Sequence, residues 1–374
     1  MSAPKKILHV IDSLDLGGAQ TFLLELVKHL DRKRYLPEVA SMHGQGVYAR
    51  AFEQAGIKTH SLSPSKIPPF YLPNFWRLMR RENYDILHFH LLGSNLCAKP
   101  LAIAAGHPAI IVHDQCNDAS RDANPLLLAA DAFWNRQSSR VIAVSESVRR
   151  YLIDREDLPE ARIEMIPNGI NAEMFFPAAD QQKDDARHRL GLPLGAYIVG
   201  GVGRLVVQKN FTAFLEVARQ VLVSHPDTIF VIAGTGPQDA NLRGKVSSLG
   251  INESVRFLGH VEARTALYHA VDALLMTSDF EGTPMTLLEA MASCLPVVAS
   301  RVDGIAEVCT HLRDALLVSP SDVTGYARAL ETVIGDPETG MRLGKTARET
   351  VLKKYDIRDL TRRIESVYEG VLCD

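Results

Sequence analysis

Short runs of β-branched and apolar residues alternate along the whole chain with longer stretches in which apolar positions recur every three or four residues. That alternation is the sequence form of parallel sheets covered by helices on both faces. In the first half the spacing predicts strands over 7–11, 37–42, 58–62, 86–90, 109–113, 140–144 and 163–166, with helical stretches between most of them. In the second half it predicts strands over 196–202, 228–233, 255–258, 273–277, 296–299 and 316–318, and helix from there to the end. The expected class is α/β, with two doubly wound units. Pro167-Asn168-Gly169 reads as a turn and 177–189 is polar and charged without strand periodicity, so a boundary and a hinge are expected between Pro167 and Ala196. The expected parts are 1–170, a linker over 171–195, and a second unit over 196–355. No fixed short repeat or low-complexity tract is present, which excludes solenoids and arrays. Two such sheets facing each other leave a cleft, and ligands bind beyond the carboxyl ends of the strands.

Composition narrows this further. At 374 residues, with 46% hydrophobic and 23% charged residues, the chain is ordinary globular material with too much length for one core. Lys plus Arg number 41 and Asp plus Glu 44, a net charge of −3, so no basic excess points to nucleic acid. Cys97, Cys116, Cys294, Cys309 and Cys373 contain no Cys-x-x-Cys pair, which argues for reduced thiols and against a disulfide framework or a zinc cluster. The apolar run after Lys6 is too short for a signal peptide and no later window resembles a membrane span, so a cytosolic location is expected.

The segment from Ser278 to Ser293 joins a predicted strand to a predicted helix. Thr283 suits the N-cap and Pro284 the first helical position, which leaves the amides of Met285 and Thr286 pointing out of a helix start, a natural anion site. Leu287, Met291 and Cys294 share a stripe expected to face the sheet, whereas Glu289 lies about 200° around from Leu287 and is expected to point away from the core. Glu281 stands just outside the cap, at the same end as the amides. For either glutamate alone, a solvated carboxylate is the ordinary reading.

A second segment changes that weighting. The strand over 196–202 runs into Gly203-Arg204, with Lys209-Asn210 close behind. A planar guanidinium forks onto two oxygens and a lysine neutralises a third, which together suit a diphosphate. Gly200-Gly201-Val202-Gly203 lacks the last glycine of a dinucleotide fingerprint, so a nicotinamide cofactor is set aside. In the first unit Gly17-Gly18 opens a helix behind the first strand. His90 and His113-Asp114 end strands, where a structural histidine is as common as a functional one, and they stand too singly for a metal reading. No Asp-x-Asp occurs. The simplest carboxylate pair for a catalytic divalent ion is therefore missing, and Arg204, Lys209 and the helix start are left to stabilise charge.

In combination these residues resemble the family 4 retaining glycosyltransferases of the GT-B fold, over nearly the whole chain. The resemblance rests on Gly17-Gly18, His113-Asp114, Val144-Ser145-Glu146-Ser147, Ile166-Pro167-Asn168-Gly169-Ile170, Gly203-Arg204 with Lys209-Asn210, Phe257-Leu258-Gly259, and Glu281 to Glu289 followed by Ala290-Met291-Ala292. It implies two facing Rossmann-like domains with a cleft between them. It also implies that the last helices, from 336 on, pack back across the first domain, with 356–374 as the crossing segment. Arg204 and Lys209 would hold the nucleotide diphosphate, Glu289 the ribose hydroxyls and Glu281 the transferred sugar, with Gly203, Gly282, Thr283, Met285, Thr286 and Leu287 around the donor. Gly17 and Gly18 would complete that set, and Gly18 and His113 would line the reaction and acceptor side.

The implied activity is retaining, metal-independent transfer from a UDP- or GDP-sugar to a hydroxyl of a glycan or lipid-linked acceptor, in polysaccharide or glycolipid synthesis, with no other cofactor. Three positions depart from the family's usual pattern: Cys294 where glycine is common, Gln20 where glutamate is usual, and Asp303 in a loop often written Gly-Gly. A glycosidase using Glu281 and Glu289 would leave Arg204 and Lys209 idle. The same architecture would also suit a nucleotide-sugar epimerase, or a non-catalytic protein that only binds a sugar nucleotide. Residues 64–81 hold Lys66, Phe70, Tyr71, Phe75, Trp76, Arg77, Arg80 and Arg81 with no acid, a mixture suited to an anionic membrane surface or simply to a crossover helix with a basic face. Residues 126–134 are a weaker candidate for the acceptor side.

Overall fold

A computed structural model describes residues 3–44, 46–63, 71–107, 109–115 and 124–373. The chain divides into two compact units, Met1–Gly169 with Ile357–Asp374, and Ile170–Asp356.

The first unit holds a seven-stranded parallel sheet in the order β3-β2-β1-β4-β5-β6-β7. Its strands are β1 (Lys5–Ile11), β2 (Tyr35–Ser41), β3 (Lys58–Ser61), β4 (Ile86–His90), β5 (Ile110–Asp114), β6 (Arg140–Ala143) and β7 (Ile163–Met165). Leu8, Val10, Leu87 and Phe89 bury one face with Tyr71, Phe75 and Ala102 from the helices Tyr71–Arg81 and Lys99–Ala104, and with Ala98, which caps the second. Part of the opposite face lies under the helix Gly18–His29, whose Leu23 and Val27 pack with Ile11 and Val39. The helix Ile357–Cys373 lies with this unit, its Glu365 accepting from the Asp31 amide at 2.8 Å.

The second unit holds a six-stranded parallel sheet in the order β10-β9-β8-β11-β12-β13. These strands are β8 (Ile198–Val202), β9 (Ile229–Ala233), β10 (Val255–Gly259), β11 (Ala273–Met276), β12 (Val297–Ser300) and β13 (Leu316–Val318). In both sheets the order reverses at one place, between β1 and β4 and between β8 and β11. Such switch points leave a crevice outside the carboxyl ends of the strands.

Every predicted strand is present, with bounds shifted by at most two residues. Residues 171–195, expected as a linker, are not free of the second unit. They contain the helix Asp180–Leu190, whose buried Arg187 donates to Ala270 O (2.9 Å), Leu194 O (2.5 Å) and Asp272 Oδ2 (2.7 Å). Asp272 also accepts from the Ile198 amide at the start of β8 (2.6 Å), so a polar surface helix is fixed to the sheet through one carboxylate. The helix Pro337–Lys354, expected with the last helices on the first unit, stays with the second, and the chain returns to the first unit at Ile357.

Gly200 and Gly201 pack rather than bind. A β-carbon at Gly201 would stand 2.6 Å from the Phe214 ring and 2.9 Å from Phe211, so glycine lets the helix Phe211–Ser224 settle onto β8. Cys97, Cys294, Cys309 and Cys373 form no disulfide, and Cys116 lies outside the described residues.

Candidate functional site

The loops that leave β8 and β11 lie side by side at the switch point of the second sheet, and hydrogen bonds lace them together. The Asp279 amide donates to Gln208 O (2.8 Å), Gln208 Nε2 to Phe280 O (2.9 Å), Asn210 Nδ2 to Asp279 Oδ1 (2.9 Å), and Thr277 Oγ1 to Asn210 O (2.9 Å). Through this lacing Lys209 meets Glu281, and the two form an ion pair. The Lys209 stem folds back over Gly203, its Cε 3.5 Å from where a β-carbon would stand. Arg204 is exposed at the end of β8, and its guanidinium has no partner among the described residues. A cation held out at a strand end beside a paired lysine is placed to take an anion.

Gly203 is itself fixed from behind. Gly234, at the end of β9, approaches so closely that a β-carbon there would collide with Gly203 O. Gly304 does the same for the other loop, with its amide donating to Glu281 O (3.3 Å) and its missing β-carbon position overlapping Gly282 O. The helix after the β11 loop is Met285–Ala292, and its N-cap is Pro284 rather than the predicted Thr283. Proline's fixed φ suits the residue just before the first turn, and no side chain caps this end. The first intrahelical bond runs from the Leu287 amide to Pro284 O (3.1 Å), which leaves the amides of Met285 and Thr286 ahead of it. The Thr286 hydroxyl is buried there without a partner. Leu287 and Met291 face the core as predicted.

Glu289 departs from the prediction. It is 1% exposed, accepting from Tyr268 Oη (2.7 Å) and ion-paired with Arg264. The helix Arg264–Ala270 packs against that side of the Glu289 helix, so a position turned from the sheet is still interior. Burial and the neighbouring carboxylate push the Tyr268 phenol well above its usual range. Arg264 lies over the Phe175 ring, 5.6 Å from its centroid, and was not singled out by the sequence. Glu281 and Glu289 are each paired with a cation, which suits neither to serve as the protonated acid of a glycosidase.

In the first unit Gly17 caps the helix Gly18–His29 and Gln20 folds over it, its Oε1 filling the place where a β-carbon on Gly17 would stand. Gln20 Nε2 donates to Ser13 O at 2.9 Å, a bond that a glutamate could not make. Cys294 adopts φ +59°, the left-handed region in which glycine costs nothing, which accounts for the glycine common at that position. Asp303 opens the helix Asp303–Val308, one residue before Gly304.

His113 is fully buried, its ring edge-on to Phe22 at 5.1 Å, and neither ring nitrogen has a partner. The reading of His90 and His113 as isolated is corrected by strand register. β1 aligns His9 with His88, and β5 aligns His113 with His90, so four imidazoles share one face. Burial holds His9 and His113 down at about 3 and takes His88 and His90 well below the usual imidazole range. Lys66 and Phe70 lie outside the described residues. Tyr71 and Phe75 are core, and Trp76 (40% exposed), Arg77, Arg80 and Arg81 face outward.

The chain is also similar to known proteins. The model for glycosyl transferases group 1 matches residues 182–350, and that for glycosyltransferase family 4 matches residues 16–174. The chain is 26% identical over 305 residues, 79% of its own length and 78% of the relative's, to the UDP-Gal:alpha-D-GlcNAc-diphosphoundecaprenol alpha-1,3-galactosyltransferase of Escherichia coli. It is 26% identical to the D-inositol 3-phosphate glycosyltransferase of Corynebacterium glutamicum (strain R), covering 96% of this chain and 93% of that one. Among solved structures, Anabaena Alr3699/HepE in complex with UDP and glucose superposes with a TM-score of 0.87 at 20% identity, over 98% of this chain and 99% of that one, a likeness of fold.

Proposed function

The chain belongs to the group 1 glycosyltransferases of the family 4 type, with the two-domain GT-B fold, and from that membership we propose a retaining, metal-independent transfer of a sugar from a UDP-sugar to a hydroxyl acceptor. The observation that carries this reading is the laced pair of loops at the β8/β11 switch point, which joins Lys209 to Glu281 at the strand end that carries Arg204, just ahead of a helix start.

Breaking the bond between sugar and diphosphate builds negative charge on the leaving phosphate. Arg204, free of any partner among the described residues, forks onto phosphate oxygens, and Lys209 adds a second positive charge. The amides of Met285 and Thr286 meet the same anion at the positive end of their helix. Glu281, released in part from Lys209 when phosphate arrives, takes the hydroxyls of the transferred sugar. Glu289, oriented by Tyr268 and Arg264, takes the ribose hydroxyls. Retention follows from front-face attack assisted by the donor phosphate, for which no side-chain nucleophile is needed. Charge stabilisation by fixed cations and amides replaces the Lewis acid that an Asp-x-Asp pair would hold, and no such pair exists in the sequence.

UDP as the donor's nucleotide rests on the nucleotide in the E. coli relative's name and the Anabaena complex. A lipid-linked glycan as acceptor rests on the E. coli relative, and the basic helix Tyr71–Arg81 supports a cytosolic protein resting on an anionic bilayer.

The test is kinetic and stereochemical. Arg204→Ala is expected to lose roughly 100- to 1,000-fold in kcat, as when one oxyanion donor is removed, with unchanged thermal stability because Arg204 holds no other group. Near wild-type turnover refutes its role. NMR of the product fixes the anomeric outcome, and inversion ends the front-face mechanism. Thermal shifts with UDP but not GDP support the donor base, and the reverse overturns it.

A further inference from the structure

The first sheet buries three histidines, His9, His88 and His90, to which the proposed sugar transfer gives no role. His9, His88 and His90 each offer a ring nitrogen, and these atoms lie within 4.8 Å of one another. His9 Nδ1 and His90 Nε2 are 3.0 Å apart. Their ring centroids are 5.1 Å apart for His9 and His88, 5.3 Å for His9 and His90 and 4.3 Å for His88 and His90, and His113 lies beside the group, its centroid 5.5 Å from both His88 and His90. Imidazoles bound to one ion at a metal–nitrogen distance of about 2.0–2.1 Å would have centroids about 5 Å apart, close to the spacing of these three.

Two further observations point to a ligand. Unpartnered nitrogens remain on all four rings, namely His9 Nε2, His88 Nε2, His90 Nδ1 and both of His113, and every ring is fully buried. Buried polar atoms ordinarily find a partner, and leaving several unpaired in one place is costly. His88 Nδ1 lies 2.8 Å from Tyr368 Oη, the arrangement in which a metal-bound histidine engages an outer partner through its other nitrogen, leaving His88 Nε2 free to ligate.

We propose that His9, His88 and His90 form a structural site for one first-row transition-metal ion of the zinc and copper class, held between the sheet and the helix Ile357–Cys373. Imidazole nitrogen is a ligand that this class accepts, whereas magnesium and calcium want oxygen. With every ligand neutral, the ion's whole charge stays buried, which favours the lower-charged copper(I) over zinc(II) and makes the two metals separate arms of the test. The three rings are buried away from water, so the ion ties strands β1 and β4 together. It is independent of the transfer reaction.

The experiment uses the full chain without a polyhistidine tag. After exposure to zinc(II), or to copper(I) under reducing anaerobic conditions, and removal of loose metal, elemental analysis should give roughly one ion per chain. His90→Gln should lose this uptake and His60→Gln should keep it. Tyr368→Phe should retain the ion with affinity weakened about 10- to 100-fold. Negligible uptake of either metal by the wild-type chain, with melting temperature unchanged by metal, overturns the proposal, and so does equal uptake by wild type and His90→Gln. If His90→Gln fails to fold, the wild-type stoichiometry and the Tyr368→Phe affinity decide the matter.

Discussion

Asp12 follows the end of β1 and accepts hydrogen bonds from the amides of Gly93 (3.2 Å) and Ser94. Burial nevertheless pushes its carboxyl up to about 6, with the two amides and His43 opposing the shift. A carboxyl raised in the fold binds its proton more tightly there than in the unfolded chain. Its stabilising contribution is therefore complete below 3.8 and lost as pH rises through about 6. The stability of wild type minus that of Asp12→Asn, from denaturant titrations, should fall by about 2 kcal/mol between pH 4 and pH 7. A difference that stays flat over that range would remove Asp12 from the pH response. The same scale explains two departures from the family pattern. Gln20 supplies a donor to Ser13 O, and Cys294 occupies a backbone position that prefers glycine without requiring it.

Glycines decide whether elements can approach one another at the candidate site. In Gly304→Ala the new methyl would collide with the Gly282 carbonyl, which is main chain and can yield only by moving the loop that carries Glu281. The variant should lose about 1–3 kcal/mol of stability and at least part of its nucleotide-sugar affinity, read by thermal melting and by calorimetric titration with UDP-sugar. Unchanged affinity would show that the Glu281 loop is not held by this contact. The helix Asp180–Leu190 has the opposite character, being polar along most of its length and fixed through one buried arginine. Arg187→Ala strips two carbonyls of their donor and leaves Asp272 with Lys183 and the Ile198 amide, and about 3 kcal/mol should be lost, the usual effect of breaking a buried ion pair from one side. Chemical denaturation checks it, and a loss under about 0.5 kcal/mol would mean that the helix is held by other contacts.

For the molecule as a whole, no helix among the described residues is long and apolar enough to cross a membrane. The proposed membrane contact must then come from a surface. On Tyr71–Arg81 two of the aromatics counted from the sequence serve the core, so contact falls to Trp76 with Arg77, Arg80 and Arg81. Three arginines near an anionic surface are each worth about 1 kcal/mol, enough for weak, salt-sensitive attachment. Sedimentation with vesicles containing anionic lipid should recover wild-type protein at low salt and not the triple Arg→Glu variant. Equal recovery of both would put the contact elsewhere. The helix Pro125–Arg136 exposes Leu126 and Phe133 and is the next surface to test.

Local pattern alone was enough for the class, all thirteen strands and the order of the two units, because strand and helix periodicities act within a few residues. It also marked Arg204, Lys209, Glu281 and Glu289, whose chemistry is visible in residue type and whose spacing relative to strand ends is local. What spacing could not supply was the third dimension. Glu289 is interior because Arg264–Ala270, a separate helix, covers the face that a helical wheel assigns to solvent. Arg264 becomes a partner of Glu289 only through that packing. Residues 171–195 belong to the second sheet because Arg187 finds Asp272 across eighty-five positions. The four histidines, scattered from 9 to 113, became one cluster only when parallel strands fell into register, a relation between distant segments that no local period encodes.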